Sequence, residues 1–270
     1  MRFEDKTVVI TGGASGIGAA LALLLSQKGA RVAIADRNED LVQTVASRIG
    51  CLGFVCDVSQ EDQIKRLVRD ASDALGAIEA FVSNAGLFGT QSGHAASAPD
   101  EVWMQNWSVH VMAHVYAARA LLPEMLAQGS GYFINVASAA GLLNQIENAA
   151  YSATKQAAVS FAESLAITHG DDGIGVSVVC PQYVATPLIG LDNRDAIEAD
   201  GLLTAQEVAE AIISGVETDR FMILPHPEIA EFAQSRARDH DTWITGMQRL
   251  RAKSLAQLGP ERAAELYRLV

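Results

Sequence analysis

Short runs rich in β-branched residues alternate with stretches of helical periodicity from Thr7 to Val179. Thr7–Thr11 reads as a buried strand, followed by a glycine-rich turn. A helical pattern through Ala19, Leu23 and Leu24 then runs up to a stop at Gly29. Arg31–Ala35 is a second strand ending at Asp36, and Glu39–Ile49 a helix. Gly53–Cys56 is a third strand ending at Asp57, Glu61–Leu75 a helix and Ile78–Val82 a fourth strand. A long helix over Glu101–Leu126, a strand at Tyr132–Val136, a helix over Ser152–His169 and a strand at Gly175–Val179 continue the series. Each strand is too short and too uniformly apolar to sit on a half-exposed antiparallel sheet. Covered on both faces, such strands form right-handed βαβ units. The predicted fold is therefore α/β, a single doubly wound parallel sheet flanked by helices.

The regularity stops after Pro181. Leu188–Leu203 has the mixed polarity of a surface excursion, and Thr204-Ala205-Gln206-Glu207 is a capping box that opens a helix. Phe221–Leu224 is the expected last strand. Residues 227–270 read as a helical tail, with Ile229, Phe232, Trp243, Ile244, Met247 and Leu250 spaced to pack on the core or a neighbour. No linker divides the chain. Residues 1–225 form the expected nucleotide-binding and catalytic domain, and 226–270 a helical extension packed on it.

Charge removes several functions. The net charge is −12, so the surface repels phosphate backbones and anionic membranes, and no nucleic-acid or membrane partner is expected. No apolar run reaches bilayer length, and no signal segment precedes the first strand. Cys51, Cys56 and Cys180 form no CxxC pair and read as reduced buried thiols, consistent with a cytoplasmic protein.

The turn Gly12-Gly13-Ala14-Ser15-Gly16-Ile17-Gly18 lies between the first strand and its helix. Glycines there let the backbone turn sharply and approach a diphosphate, which the free N–H groups of the helix N-terminus then hold. Asp36, at the end of the second strand, can accept both hydroxyls of an adenosine ribose and repels a 2′-phosphate. That favours NAD over NADP. Arg37 beside it can pair with such a phosphate and reads mainly as a solvated charge. Asp57, with Val58 next to it, can reach the adenine amino group, and helix capping is an equal alternative for it.

Tyr151 and Lys155 stand one helical turn apart on one face. A tyrosine is a poor base near neutral pH, and an adjacent ammonium favours its phenolate. Ser138 ends the strand that precedes this helix, and its hydroxyl can reach the same substrate oxygen.

With these motifs in order, the sequence resembles the short-chain dehydrogenase/reductase family over about residues 3–225. Its TGxxxGxG motif stands as Thr11-Gly12-Gly13-Ala14-Ser15-Gly16-Ile17-Gly18. The NNAG strand end appears as Ser83-Asn84-Ala85-Gly86, and the Ser–Tyr–Lys set as Ser138, Tyr151 and Lys155. The resemblance implies an oxidoreductase that moves a hydride between NAD(H) and a secondary alcohol or ketone. In that picture Tyr151 is the acid/base, Lys155 lowers its pKa and holds the nicotinamide ribose, and Ser138 orients the substrate. Asn84, Ala85 and Gly86 line the cofactor, while the Val184 backbone and Thr186 hydroxyl take the carboxamide and phosphate. A homodimer or homotetramer is implied, joined through the helices at Glu101–Leu126 and Ser152–His169.

Two departures stand out. His110 occupies the position where the family has an Asn that helps hold a water linking Lys to solvent. An imidazole can keep that relay and add a titratable group, or be a tolerated replacement. Gln182 replaces the glycine of PGxxxTP and either shapes the pocket or is neutral. His110 and His114 have a metal-compatible spacing but no third ligand, so no metal is expected. The loop Leu87–Pro99 and the excursion Leu188–Leu203 are expected to cover the substrate. With Leu87, Phe88, Leu142, Leu143, Gln182, Tyr183, Leu188 and Ile189 as lining, the substrate is expected to be apolar, aromatic or alicyclic. A dehydratase or epimerase with retained NAD and a non-catalytic NAD-binding sensor are the rival readings.

Overall fold

The computed structural model describes residues 1–89, 93–192 and 201–269. Parallel strands β1 (Thr7–Thr11), β2 (Arg31–Asp36), β3 (Leu52–Val55), β4 (Ala80–Ser83), β5 (Gly131–Val136), β6 (Ile174–Val179) and β9 (Met222–Ile223) make a seven-stranded sheet. Their order is β3-β2-β1-β4-β5-β6-β9. The chain winds outward from β1 in one direction and from β4 in the other. A crevice therefore opens at the carboxyl ends of β1 and β4, where crossovers diverge to opposite faces.

Period-two alternation along each strand divides the core into two layers. Val8 and Ile10 of β1 and Tyr132 and Ile134 of β5 face helices α1 (Gly16–Gln27), α2 (Glu39–Ile49) and α8 (Ala205–Glu217). Val9, Phe81 and Phe133 face α3 (Glu61–Leu75), α5 (Ala113–Gln128) and α7 (Ala149–His169). These strands are buried on both sides, which is why they read as unbroken apolar runs.

Four details differ from the sequence expectation. The long helix is not uniform: α4 (Asp100–Trp107) passes into a π-helical turn at Ser108–Met112 before α5 begins. His110 lies inside this turn, whose wider winding alters which residues share a face. A short helix α6 (Ala140–Leu143) follows β5. The Leu188–Leu203 excursion returns as a strand, since β8 (Leu202–Thr204) pairs in parallel with β7 (Tyr183–Ala185); residues 193–200 of that excursion lie outside the described residues. The last strand is shorter than expected, because only Met222 and Ile223 register with β6.

The expected capping box is present. Thr204 accepts the Glu207 N–H at 3.2 Å and its own N–H donates to the Glu207 carboxylate at 2.8 Å. The tail forms α9 (Glu228–Arg238) and α10 (His240–Leu258). Fully buried Ile229 anchors α9 on Ala139 and Leu143, a contact worth about 2–3 kcal/mol of apolar burial. Among the described residues, no helix is long and apolar enough to cross a membrane.

Candidate active site

The crevice is a cleft of about 330 Å³. At one end the turn after β1 carries positive φ at Gly12 (62°) and Gly16 (50°), which favours glycine at both. A Cβ on Gly12 would come within 2.8 Å of the Ala85 backbone, and one on Gly16 within 3.1 Å of the Thr186 side chain. The turn is thus pressed between two walls, with open space only toward the cleft. Asn84 secures it: its Nδ2 donates to the carbonyls of Thr11 (2.9 Å) and Gly12 (3.1 Å). The Thr11 hydroxyl in turn accepts the Asn84 N–H at 3.1 Å, so the ends of β1 and β4 are stitched together.

Gly12, Ser15, Gly16, Ile17, Asp36, Arg37, Asp57, Val58, Asn84, Ala85 and Gly86 all line this end of the cleft. Gly18 does not. A Cβ there would sit 2.3 Å from the Gly12 carbonyl oxygen, so Gly18 serves the fit of helix against turn rather than the cleft surface. One Asp36 carboxylate oxygen accepts the Asn38 N–H at 3.1 Å and the other the Ala14 N–H at 3.4 Å. The carboxylate is thereby fixed where β2 meets the cleft. Asp57 accepts the Ser59 N–H and hydroxyl at 3.0 and 2.8 Å and lines the cleft; it does not cap the following helix, whose N-cap is Gln60.

At the other end Ser138, Tyr151 and Lys155 come together from β5 and α7. The α7 N-terminus is capped by Asn148, which accepts the Tyr151 N–H at 3.3 Å and donates from Nδ2 to the Gly89 carbonyl at 2.7 Å. The first turn of the helix is therefore tied to the loop over the cleft. The Ser138 hydroxyl lies on the same cleft as the Tyr151 phenol and favours its ionised form. Lys155 Nζ donates to the Val136 carbonyl at 3.1 Å and lies 5.7 Å from the Tyr151 ring centre. Burial pushes the Tyr151 hydroxyl up to about 12 against the lowering effect of Ser138, and burial pushes Lys155 down to about 8. Desolvation of the buried phenol is the largest cause of its rise.

His110 is fully buried and does not line the cleft. Its Nε2 accepts the Leu87 N–H at 3.1 Å, which leaves the proton on Nδ1, 3.0 Å from the Thr154 hydroxyl. Thr154 passes that bond on to the carbonyls of Ala150 and Tyr151 at 2.9 and 3.0 Å. Burial, then the Lys155 charge, hold His110 well below its ordinary pKa. A neutral imidazole with both nitrogens engaged is a strut between the cleft loop and the catalytic helix. His114 is likewise buried and is pushed down to about 3, first by burial and then by the Lys155 charge; its Nδ1 and the Asn135 Nδ2 have no hydrogen-bond partner among the described residues. No cluster of metal-ligating groups exists among the described residues.

The substrate wall departs from expectation in one place. Leu87, Phe88, Gln182, Tyr183, Leu188 and Ile189 line the cleft, and so do Val184 and Thr186. Leu142 and Leu143 do not: α6 turns them toward Ile229 and α9, and Arg236 donates to the Leu142 carbonyl. Part of the covering loop, residues 90–92, lies outside the described residues. Val109 and Gln145 line the cleft without having been anticipated. Gln145 stands between Ser138 and Tyr151 in sequence, a polar residue in a short segment that must cross the site mouth. Its Nε2 donates to the Tyr183 hydroxyl and to the Ala264 carbonyl, both at 3.0 Å. Tyr183 itself donates to Ala264 at 2.6 Å. No local pattern could announce those contacts, which join segments far apart in the chain.

A glycine-cradled crevice at the sheet's switch point, joined to a buried Ser–Tyr–Lys cluster, defines a dinucleotide-dependent class of enzyme. A model of the family described as short chain dehydrogenase matches residues 6–196, and the chain belongs to that family of oxidoreductases. It is 32% identical over 252 residues to 1-deoxy-11-beta-hydroxypentalenate dehydrogenase of Streptomyces exfoliatus, spanning 90% of each chain. It is 29% identical over 248 residues to D-beta-hydroxybutyrate dehydrogenase of Rhizobium meliloti, spanning 89% of this chain and 95% of the relative. Among solved structures, a short chain dehydrogenase/reductase from Burkholderia phymatum in complex with NAD superposes with a TM-score of 0.80. That protein is 28% identical, with 90% of this chain and 96% of the other covered.

Proposed function

We propose that this protein transfers a hydride between NAD(H) and an apolar secondary alcohol or ketone, with Ser138, Tyr151 and Lys155 handling the oxygen and its proton. The observation that carries this reading is the meeting of those three side chains in the same cleft as the Gly12–Gly16 turn and Asp36. The turn fits a diphosphate, since it lines the cleft at the N-terminus of α1 and packs too closely on Ala85 and Thr186 to carry side chains at Gly12 and Gly16. Asp36 suits two ribose hydroxyls and disfavours a 2′-phosphate, which supports NAD over NADP. Lys155 would hold the nicotinamide ribose, and Val184 and Thr186 the carboxamide and phosphate.

When bound, the nicotinamide supplies or accepts the hydride. Tyr151 gives its proton to the carbonyl oxygen in reduction and takes the hydroxyl proton in oxidation. Ser138 donates to the same oxygen and holds it at the phenol. The phenol needs positive charge nearby to ionise near neutrality, because its surroundings, burial foremost, raise it to about 12. Lys155 supplies that charge while protonated, below about pH 8. Leu87, Phe88, Val109, Leu188 and Ile189 give an apolar wall that excludes water and suits an aromatic or alicyclic body.

Exposed Met104 (61%) on α4 and Ile167 (84%) on α7 support association with a second copy through these helices, and three free thiols, Cys56 and Cys180 buried and Cys51 half-buried, suit a cytoplasmic setting. The test is NADH absorbance against a panel including cyclohexanol, 1-phenylethanol and their ketones. Turnover by the wild type that is lost in Tyr151→Phe supports the reading. Turnover that survives in the variant overturns it, and bound NAD without net turnover favours a retained-cofactor dehydratase or epimerase.

A further inference from the structure

We propose that His226 is a positioning residue for the substrate wall, pinning the backbone of Gln182 and Tyr183 through both nitrogens of its ring. It follows the last strand, lies beyond the family match over residues 6–196, and is buried. The Gln182 N–H donates to His226 Nδ1 at 3.1 Å. An N–H can only donate, so Nδ1 carries no proton and Nε2 does. Nε2 then donates to the Tyr183 carbonyl, also at 3.1 Å. One rigid ring thus fixes the N–H of Gln182 and the carbonyl of Tyr183, successive residues that both line the cleft.

The consequence reaches the catalytic serine. Pro181, next to Gln182, offers its carbonyl to the Ala139 N–H at 2.8 Å and to the Ser138 hydroxyl at 3.5 Å. The segment that His226 holds from one side is the segment on which Ser138 rests from the other. Tyr183 has a second anchor at its far end, the Ala264 carbonyl and Gln145. A backbone pin at His226 and a side-chain pin at the tail leave Tyr183 one position against the cleft. Both pins come through the C-terminal segment, so its start sets the depth of the substrate wall and its tip sets the tilt.

This inference rests on the cleft being the hydride-transfer site, and the experiment separates the two. His226→Phe keeps the ring's bulk and removes both polar contacts. His226→Asn keeps an acceptor close to the Nδ1 position and loses the Nε2 donor. Amide exchange at Gln182, followed by mass spectrometry or NMR, reads the pin without any turnover. It should speed up at least tenfold in the Phe variant and stay protected in the Asn variant.

With NAD⁺ and either cyclohexanol or 1-phenylethanol, KM should rise about tenfold in His226→Phe and about threefold in His226→Asn. In both, kcat should move less than threefold, and so should the NADH dissociation constant from fluorescence. Should the Phe variant fail to fold, the Asn variant decides: unchanged KM, or lost protection at Gln182, overturns the proposal. Unchanged exchange and KM in a folded Phe variant overturn it as well, even if its melting temperature drops. Wild-type protein that oxidises neither alcohol sinks the functional reading instead, and the exchange at Gln182 then decides the pin alone.

Discussion

The two ends of the cleft are built by different means. The nucleotide end comes from residues 11–58 and 84–86, held by backbone geometry: a turn at positive φ, four strand ends and one Asn stitching two of them. The substrate end is assembled from Gln145, Gln182, Tyr183, His226 and Ala264, which meet only through side-chain bonds between distant segments. Backbone construction gives a surface that tolerates little change and suits a ligand that never varies. Side-chain construction gives a surface that can be altered one residue at a time while the sheet stays intact.

If that division is right, the joint between the ends should fail most severely. Tyr151→Phe should lower turnover by about 10³-fold, in the range for lost general acid/base catalysis. NADH binding followed by fluorescence should stay nearly unchanged, and a loss of both would mean that the two ends are one structural unit.

The nucleotide end should then break by steric insult. A methyl at Gly18 would meet the Gly12 oxygen at 2.3 Å and the Asn84 amide at 2.6 Å. Gly18→Ala should cost about 1–3 kcal/mol in denaturant unfolding and weaken NADH binding, because the turn must shift. Charge should matter there through one residue. Asp36→Ala should lower kcat/KM for NAD by about 10–100-fold, the scale of hydrogen bonds to a carboxylate, and narrow the gap to NADP. Equal losses with both cofactors would remove Asp36 from the discrimination.

The substrate end should yield to a milder change. Tyr183→Phe removes the hydroxyl that donates to Ala264 and accepts from Gln145 and Leu266. KM for the alcohol should rise roughly fivefold, about 1 kcal/mol, with the NADH dissociation constant unmoved. A shift in cofactor affinity instead would erase the contrast between the ends.

Acid gives the smallest test. His110 and His114 lie beneath the joint, and both have folded values below the ordinary one, His114 at about 3. Above the ordinary value of 6.5 neither state binds protons there. Below it the unfolded chain takes up protons that the fold refuses, so stability falls as pH drops. Each histidine contributes up to about 1.4 kcal/mol per pH unit. Melting curves between about pH 7 and 5 should show a flatter decline in His114→Asn. An unchanged slope would mean that His114 is protonated inside the fold.

Much of this was legible in the sequence, and the reason is locality. The strands, the βαβ alternation and the capping box at Thr204–Glu207 each depend on neighbours within a few residues. The same holds for the glycine turn and for Tyr151 and Lys155 on one helical face. The failures were failures of direction. Leu142 and Leu143 sit near Ser138 in sequence, yet a four-residue helix turns them toward Ile229. The bonds of His110 to Leu87 and Thr154, set by a π-helical turn, were announced by no local pattern.

Short-range pattern was enough to set the winding of the sheet and the residues at its carboxyl edge, because hydrophobic period and glycine placement act between near neighbours. It was enough, too, to bring a dinucleotide cleft up against a Ser–Tyr–Lys set. The protonation of His110, the upward pull on Tyr151 and the pairing of His226 and Ala264 with Tyr183 came only with the closed fold. Those depend on burial and on contacts between distant segments, and neither exists until the chain has closed on itself.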